Sequence, residues 1–298
     1  MSSNETKYCF GLNAQGTRHT LNLIQFTRKG FHSLDDLGGA HQGTAVSLTN
    51  IKSVAVFARS MQNVLYRRLV ASDEILSEHD VALSVTGDPS CYIDVFSSNR
   101  RTLCFVRGAN RTLIEYAELS TDTWSATRLG NSSDRLRDEA APACGYVGRL
   151  LRYCFAILEN GLIYRIRSSS YVWGSWQPID EDRSRQFLAQ PLFVTSRPWD
   201  YSGPDQICYL MAIDQSNHLH LSTNSDCAQS ANFSHWVSLP TNIKLKQLNH
   251  RFRLRDGTIG VFGVDVHNST YYLILDQTTH RFTAPRLALT MKPTQFRP

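Results

Sequence analysis

The sequence predicts an all-β fold, and three observations lead to that prediction. Short apolar strands recur along the chain, a tight turn carrying asparagine follows each of them, and no segment between them has a helical period. Successive turn asparagines are 50, 47, 50, 57 and 51 residues apart, and they are Asn13, Asn63, Asn110, Asn160, Asn217 and Asn268. A period of this length, with several strands per unit, is typical of a β-propeller. We therefore expect a single propeller domain over residues 1–298, with about six four-stranded blades.

Each repeat has an apolar strand, a turn, a second alternating strand and a polar stretch that often ends at tryptophan. The clearest copy runs from Tyr153 to Ile157, turns at Asn160 and Gly161, and continues to Tyr164. Asn and Gly adopt the positive φ of tight hairpin turns at low cost, which explains their presence there. A pair of β-sandwiches is the alternative all-β fold, but it would not need a constant period.

The composition argues against two classes of partner. The formal net charge is +5, from 31 basic and 26 acidic residues, and 42% of the residues are hydrophobic. The basic residues are scattered along the chain, whereas nucleic-acid binders concentrate them on one face or arm. No run approaches the roughly twenty apolar residues that a membrane-spanning helix needs. We therefore expect neither nucleic-acid binding nor membrane insertion.

The seven cysteines are odd in number and form no C-x-x-C motif. Several lie in apolar, strand-like runs, where a free cysteine behaves as a small buried hydrophobe. The first seven residues are polar and lack a signal-like apolar segment. These observations predict a cytoplasmic protein with seven free thiols. The five Asn-X-Ser/Thr sequons are accordingly interpreted as turn asparagines, and they begin at Asn4, Asn110, Asn131, Asn232 and Asn268.

The motifs of common catalytic chemistries are missing from the sequence. His218 and His220 alternate along one strand and so share a face, but no third metal ligand lies nearby. The sequence has no P-loop, no G-x-G-x-x-G after a strand, no G-x-S-x-G, no zinc spacing and no sialidase-type Asp-box turn. We therefore expect no cofactor and no metal.

The repeat pattern resembles two groups of propeller lectins. The strand, Asn turn, "LIEY"-like strand at 113–116 and following tryptophan resemble the six-bladed fucose-binding lectins of fungi and bacteria. The strand at 105–108, "FVRG", resembles a related family of bacterial propeller lectins. The resemblance covers nearly the whole chain and supports the fold better than any activity. In the fucose lectins, each site uses an arginine seven residues before the turn asparagine, a glutamate five residues after it, and aromatic stacking.

That site pattern is not retained when it is carried over position by position. The arginine places hold Val56, Leu103, Tyr153, Leu210 and Val261. The glutamate places hold Arg68, Glu115, Arg165, Ser222 and Leu273. Only Glu115 matches, and its partner is Leu103, which cannot donate a charge-assisted hydrogen bond to a sugar hydroxyl. The alignment predicts that the repeated fucose site has been lost.

In size, lectin-like repeat and missing sugar motifs, the chain is also similar to the fungal hetero-Diels–Alderases of tropolone sesquiterpenoid biosynthesis. This resemblance implies a cofactor-independent pericyclase that joins a tropolone quinone methide to a terpene alkene, with a small apolar metabolite as substrate. Such an enzyme needs an aromatic-lined cavity that holds the reactants together and donors for the developing oxyanion. The alternative is a divergent carbohydrate-binding lectin, or an interaction propeller without catalysis, whose partner is a glycan.

The candidate substrate-binding residues lie near predicted strand ends and join an apolar body to a polar tip. They are Arg59, Tyr66, Arg107, Tyr116, Trp124, Tyr164, Trp173 and Trp236. Packing between blades is the alternative role for each of them. The sequence assigns no catalytic residue.

Overall fold

The computed structural model describes the backbone of residues 7–289. The gaps are 16–17, 28–29, 37–40, 50–53, 61, 72–73, 83, 95–100, 121–122, 139–140, 148–150, 181–184, 189–190, 197–205, 240–241, 254–258, 277–278, 280 and 284. Side chains are described for most residues from Ala55 onward. Strands make up 61% of the structure and no helix occurs among the described residues, which confirms the all-β prediction. Within the described ranges, then, no helix could cross a bilayer.

The strands form six antiparallel sheets that follow one another along the chain. The chain divides into two compact units, Met1–Leu129 and Gly130–Pro298, and each unit contains three sheets. In the first unit, the first sheet is β1 (Lys7–Gln15), β2 (Arg18–Thr27) and β3 (Gly30–Asp36); the second is β4 (His41–Thr49), β5 (Val54–Ser60), β6 (Leu65–Ala71) and β7 (Glu74–Ala82); the third is β8 (Ser90–Asp94), β9 (Arg101–Arg107), β10 (Leu113–Ser120) and β11 (Thr123–Leu129).

The sheets of the second unit have the same meander. In the fourth and sixth sheets, the outer strand is divided into two short pieces. The fourth sheet is β12 (Ala143–Val147), β13 (Leu151–Ile157), β14 (Ile163–Ser169), β15 (Val172–Trp173) and β16 (Gln177–Pro178); the fifth is β17 (Leu192–Thr195), β18 (Cys208–Ile213), β19 (Leu219–Asn224) and β20 (Val237–Ser238); the sixth is β21 (Leu245–Arg253), β22 (Ile259–Asp265), β23 (Thr270–Asp276), β24 (Arg281–Phe282) and β25 (Arg286–Leu289). Both β15 and β16 pair with β14, and both β24 and β25 pair with β23.

One five-residue hairpin recurs in the second to sixth sheets. In its first copy the amide of Ser60 donates to the carbonyl of Val64 at 2.8 Å, and the amide of Asn63 donates to the carbonyl of Ser60 at 3.0 Å. The fourth residue of this hairpin has positive φ, and across the five sheets it is Asn63, Arg111, Gly161, Asn217 and Asn268. The turns predicted in the second to sixth sheets are therefore confirmed, although Asn110 and Asn160 lie one position earlier than the other three asparagines. The prediction of a turn at Asn13 is wrong, because this residue lies within β1 and pairs with Thr20.

The first residue of the hairpin caps the turn where its side chain is a short acceptor. One carboxylate oxygen of Asp214 accepts from the amides of Ser216 at 2.8 Å and His218 at 2.9 Å. Asp265 does the same in the sixth sheet, with bonds of 2.8 and 2.7 Å, and the Ser60 hydroxyl does so more weakly in the second. These bonds satisfy amides that a tight turn leaves unpaired, which explains the local sequence.

The core lies between neighbouring sheets, because both faces of the inner strands are buried. On β18, Cys208, Leu210 and Ala212 pack against the fourth sheet. The alternate residues of the same strand, such as Tyr209 and Met211, pack against the sixth sheet. Since successive strand side chains point to opposite faces, a strand that is covered on both sides is a continuous apolar run.

The expectation of seven free thiols is wrong, because six cysteines form three disulfides. They are Cys91–Cys104, Cys144–Cys154 and Cys208–Cys227. The first two join directly opposite residues of neighbouring strands. Apolar neighbours in the sequence suggested buried thiols, whereas strand register, which cysteine spacing does not reveal, brings the sulfur atoms together. The side chain of Cys9 lies outside the described residues.

Candidate functional site

The interface between the fourth and fifth sheets changes from apolar to basic along β14. Ile163, Arg165 and Arg167 alternate along this strand and therefore share one face. On the neighbouring strand β13, Phe155 is directly opposite Arg165 and Tyr153 is directly opposite Arg167, and the Phe155 ring lies 4.9 Å from that of Phe193. The two arginines therefore place hydrogen-bond donors beside this aromatic packing.

Arg165 is a buried cation with neutral partners. Its side chain is only 9% exposed, and its guanidinium donates to the backbone carbonyl of Ala231 and, at 3.1 Å, to the amide oxygen of Gln177. Burial lowers the pKa of Arg165, and the nearby charge of Arg167 lowers it further, but a guanidinium stays protonated at neutral pH. In the part of the chain that the structure describes, no carboxylate lies within ion-pair distance of Arg165.

Tyr153 lies beside the two arginines and is fully buried. Its hydroxyl donates to the backbone carbonyl of Cys227 at 3.3 Å, and the carbonyl of Ser230 lies 3.5 Å away. The Arg167 guanidinium lies 5.9 Å from the centroid of the Tyr153 ring, within the range of a cation–π contact. Burial raises the pKa of Tyr153 more than the two arginines lower it, so the phenol remains a neutral donor.

The backbone acceptors for Tyr153 and Arg165 lie in the segment 225–234, which follows β19. The Cys208–Cys227 disulfide anchors this segment to β18. The Asn224 side chain donates to the carbonyl of Ser230 at 2.8 Å, which closes the segment into a compact turn. The chain thus holds two backbone carbonyls against the Tyr153–Arg165 pair.

Arg67 holds the position in the second sheet that Arg165 holds in the fourth, because each is four residues after the positive-φ residue of its hairpin. A guanidinium nitrogen of Arg67 lies 2.6 Å from a carboxylate oxygen of Glu118 in the third sheet. Glu118 is seven residues after the positive-φ residue Arg111, and the corresponding residue of the fifth sheet is Asn224. The charge pair between the second and third sheets is therefore not repeated between the fourth and fifth.

The hairpin geometry corrects the comparison with the fucose-lectin pattern, since counting from the asparagines mixed two registers. In the register of Asn110 and Asn160, the arginine places are Ala55, Leu103, Tyr153, Tyr209 and Gly260, and the glutamate places are Arg67, Glu115, Arg165, Leu221 and Tyr272. In the register of the positive-φ residues, they are Val56, Cys104, Cys154, Leu210 and Val261, with Arg68, Tyr116, Ile166, Ser222 and Leu273. Neither register gives an arginine with a glutamate in the second to sixth sheets.

Two of the candidate residues from the sequence analysis bind one segment of the first unit. A guanidinium nitrogen of Arg59 lies 3.6 Å from a carboxylate oxygen of Asp88. Arg107 donates to the backbone carbonyl of Thr86 at 2.7 Å. Both arginines thus fasten the segment that leads into β8.

The three aromatic candidates of the first unit are associated with its core. Tyr66 is buried, and burial raises the pKa of Tyr116. Trp124 meets the ring of Phe57 edge-on, with the ring centroids 6.1 Å apart. Tyr116 and Trp124 pack against the same apolar cluster between the second and third sheets.

The candidates of the second unit lie apart from one another. The Tyr164 hydroxyl accepts a hydrogen bond of 2.9 Å from the side chain of Asn160. Trp173 lies under the Arg152 guanidinium, 4.9 Å from it, and Trp236 is buried in the core. The predicted site residues stay a prediction, and they do not include Tyr153, Arg165 or Arg167. The alternation of two arginines on one predicted strand was a signal in the sequence that pointed to the basic face.

The paired histidines of the sequence analysis take part in a turn. A ring nitrogen of buried His220 lies 2.8 Å from the second carboxylate oxygen of Asp214, the residue that caps the same hairpin. Burial lowers the pKa of His220 more than Asp214 raises it. Across the described ranges, no three His, Cys, Asp or Glu residues form a group that could hold a metal ion.

Comparison with known proteins finds similarity in solved structures. No family model matches the chain, and no curated protein does. The lectin of Aleuria aurantia, described as a six-bladed β-propeller with a novel fucose recognition mode, is similar with a TM-score of 0.68 at 9% identity, over 98% of this chain and 93% of that one. The BP39L lectin of Burkholderia pseudomallei gives 0.65 at 11% identity, over 95% of both chains. The AofleA protein of Arthrobotrys oligospora gives 0.62 at 13% identity, over 94% and 85%.

These identities are too low to transfer a ligand, but the coverage and TM-scores define the fold. The six sheets found in chain order correspond to the blades of these lectins. The chain has the six-bladed β-propeller fold of the lectins to which it is similar.

Proposed function

We propose that this protein is a divergent carbohydrate-binding propeller whose ligand site lies between the fourth and fifth sheets. The observation that carries the proposal is the pair Arg165 and Arg167, whose guanidinium groups lie beside a buried aromatic cluster and its half-buried neighbour Phe233. Sugar recognition requires this combination, because hydroxyl groups need directed polar partners and the ring carbons need apolar surface. The lectin fold adds support, since several similar structures bind fucose according to their descriptions.

The ligand differs from free fucose in this proposal. Both registers of the repeat lack the arginine–glutamate pair, so the charge-assisted bonds of that pattern are missing. We expect free fucose to bind no better than about 1 mM, which corresponds to roughly −4 kcal/mol. Calorimetry that found micromolar fucose binding at several sites per chain would restore the fucose-lectin assignment.

A glycan array with wild-type protein and two variants tests the proposal. We expect wild-type protein to bind a subset of the glycans and Arg167→Gln to lose most of that signal, because Arg167 is half-buried at the basic end of the interface. Arg128→Gln, which removes an exposed arginine of β11, is the matched control and should bind as wild type does. An array on which no glycan binds would overturn the proposal.

The hetero-Diels–Alderase hypothesis is our second proposal for the same interface. Half-buried Phe233, whose ring lies 5.3 Å from that of buried Phe155, supplies aromatic surface there, and the two arginines are the donors for a developing oxyanion. A screen for bound apolar metabolites, run beside the array, separates the two proposals. A bound quinone-methide precursor without glycan binding would favour the enzyme.

The predicted cytoplasmic location has not been tested, and the three disulfides favour an oxidising compartment instead. Because six of the seven cysteines are paired, thiol titration of denatured, unreduced protein should find one free thiol, that of Cys9. Seven free thiols would support the cytoplasmic prediction.

A further inference from the structure

Several of the buried or half-buried arginines elsewhere in the described structure have a carboxylate or an aromatic partner, whereas half-buried Arg185 donates to the backbone carbonyl of Trp236. Arg67 pairs with Glu118 at 2.6 Å, and Arg101 approaches Asp94 at 3.6 Å. The Arg152 guanidinium lies over the rings of Tyr171 and Trp173, 5.1 and 4.9 Å from their centroids. Such pairing is expected, because a charge that is buried without a compensating partner loses its hydration and gains nothing in return. Arg165 also has only neutral acceptors, and it is buried where Arg185 is half-buried, so the lack of a described counter-charge matters more for Arg165.

A second cation increases the imbalance. Arg167 is two residues after Arg165 on the same face of β14, and the positive charges of the two guanidinium groups repel each other. The Nε atom of Arg167 is buried and has no hydrogen-bond partner in the described structure. Two guanidinium groups therefore lie side by side, with no described carboxylate in range and one donor unused.

The surroundings leave a route by which an anion could reach these groups. Gln177, which accepts from Arg165, is an exposed residue of the outer strand, so its side chain can move aside. Arg167 is half-buried, and Asn232 beside the Ala231 carbonyl is exposed. A carboxylate or sulfate could replace the Gln177 oxygen and accept from both guanidinium groups, which match such anions in two-pronged geometry.

We infer that Arg165 and Arg167 form a subsite for the anionic group of an acidic glycan, either a carboxylate or a sulfate. The inference rests on the proposed function, because it names the class of sugar that the interface takes. The anion would supply the negative charge that Glu118 supplies to Arg67 in the equivalent place. The neutral remainder of the sugar would contact the rest of the interface.

Calorimetric titration with matched sugars tests this inference. The probes are methyl glucuronide, glucose 6-sulfate, methyl glucoside and inorganic sulfate. We expect at least one of the two anionic sugars to bind about tenfold or more tightly than methyl glucoside, a difference of roughly 1.4 kcal/mol. The comparison of the two anionic sugars identifies whether carboxylate or sulfate is preferred. Added salt should weaken the preference.

Variants connect that preference to the two arginines. Arg167→Gln should reduce it to near parity with the neutral sugar, and it is the primary variant because this residue is only half-buried. Arg167→Lys should keep part of the preference, since the positive charge is retained while the two-donor geometry of the guanidinium group is lost. Arg128→Gln is the control for net charge, and far-ultraviolet circular dichroism checks the folding of each variant.

The outcomes separate this inference from the proposed function. Equal binding of neutral and anionic sugars, or an anionic preference that survives Arg167→Gln, would overturn the subsite while glycan binding stands. Inorganic sulfate that binds as tightly as the sulfated sugar would overturn the glycan assignment of the subsite. A protein that binds array glycans but none of these probes would refute the acidic-sugar class, and one that binds no glycan at all would refute the proposed function itself.

Discussion

Arg67 and Arg165 occupy the same place in two copies of one repeat, yet their partners differ. Between the second and third sheets, Arg67 meets the Glu118 carboxylate, and both side chains are mostly buried, at 10% and 18% exposed. Between the fourth and fifth sheets, Asn224 stands in the position of Glu118, and Arg165 donates to a backbone carbonyl and an amide. The backbone geometry is shared, whereas the charge balance is not.

The difference shows how a repeat can change role without changing fold. In the buried pair, each charge compensates the other, so the site of Arg67 is suited to joining two sheets. A buried cation without a counter-charge favours an external anion, so the second place is suited to binding. One residue in the neighbouring sheet, glutamate or asparagine, separates the two cases.

Removing the counter-charge from the paired site should have the largest effect. Glu118→Gln leaves the Arg67 guanidinium buried with a neutral partner, and we expect a loss of about 3–5 kcal/mol in the free energy of unfolding. Urea denaturation measures it. Asp80→Asn, on an exposed residue of β7, is the control and should change stability by less than about 0.5 kcal/mol. A loss below about 1 kcal/mol for Glu118→Gln would mean that the two arginine sites do not differ as described.

The second largest effect on stability is expected when the Cys208–Cys227 disulfide, which anchors the segment beside Arg165, is removed. The double change Cys208→Ser and Cys227→Ser should cost about 3 kcal/mol, because the bond closes a loop of 19 residues in the unfolded chain. It should also weaken ligand binding, since segment 225–234 carries the acceptors of Tyr153 and Arg165. The matched change at Cys91 and Cys104, in the third sheet, should lower stability but leave binding intact. Equal effects on binding would argue against a site at segment 225–234.

A second pair of equivalent positions predicts a pH dependence. Asp214 and Asp265 cap the same turn, but a buried histidine ring, that of His220, is described against Asp214 alone, at 2.8 Å. Burial raises the pKa of Asp214, yet the bonds from the His218 amide, the His220 ring and the Ser216 amide outweigh it and lower the pKa. The pKa of His220 is also lowered. The unfolded chain therefore binds more protons, and stability should fall as the pH drops below about 6.5.

Melting temperature measured between about pH 7.5 and 5 checks this slope. His220→Phe should flatten it, because the buried group that resists protonation is removed and the aromatic contact with Phe187 can be kept. Asp265→Asn should leave the histidine part of the slope unchanged. The same slope in wild type and His220→Phe would refute the assignment.

The smallest effect on stability is expected when the unpaired arginine, Arg165, is replaced. Arg165→Met removes the uncompensated charge and keeps the apolar stem, so we expect a change in unfolding free energy of less than about 1 kcal/mol in ligand-free protein. Arg67→Met leaves the Glu118 carboxylate without its charged partner, so it should lower the free energy of unfolding clearly more. Denaturation of both variants in one buffer measures the difference. Equal losses would show that Arg165 has a structural counter-charge after all.

Local physical chemistry explains what the sequence by itself determined. Alternating apolar strands and residues suited to positive φ are properties of neighbours along the chain, so the all-β fold and the repeated hairpins were predictable. The loss of the arginine–glutamate pair was also visible, because it depends on residue type at fixed offsets from a turn. The one-residue shift at Asn110 and Asn160 was not, since Arg111 and Gly161 are also able to take the strained position.

Only the tertiary structure decided which residues meet between sheets. Arg67 and Glu118 are 51 residues apart, and Arg165 and Ala231 are 66 apart. The disulfides also depend on the tertiary structure, because they require one particular strand register. Side chains alternate between the two faces of a strand, so a shift of one residue would place the two cysteines on opposite faces. A missing counter-charge is a property of the folded surroundings, so a sequence pattern shows the two arginines of β14 but not that they lack a carboxylate.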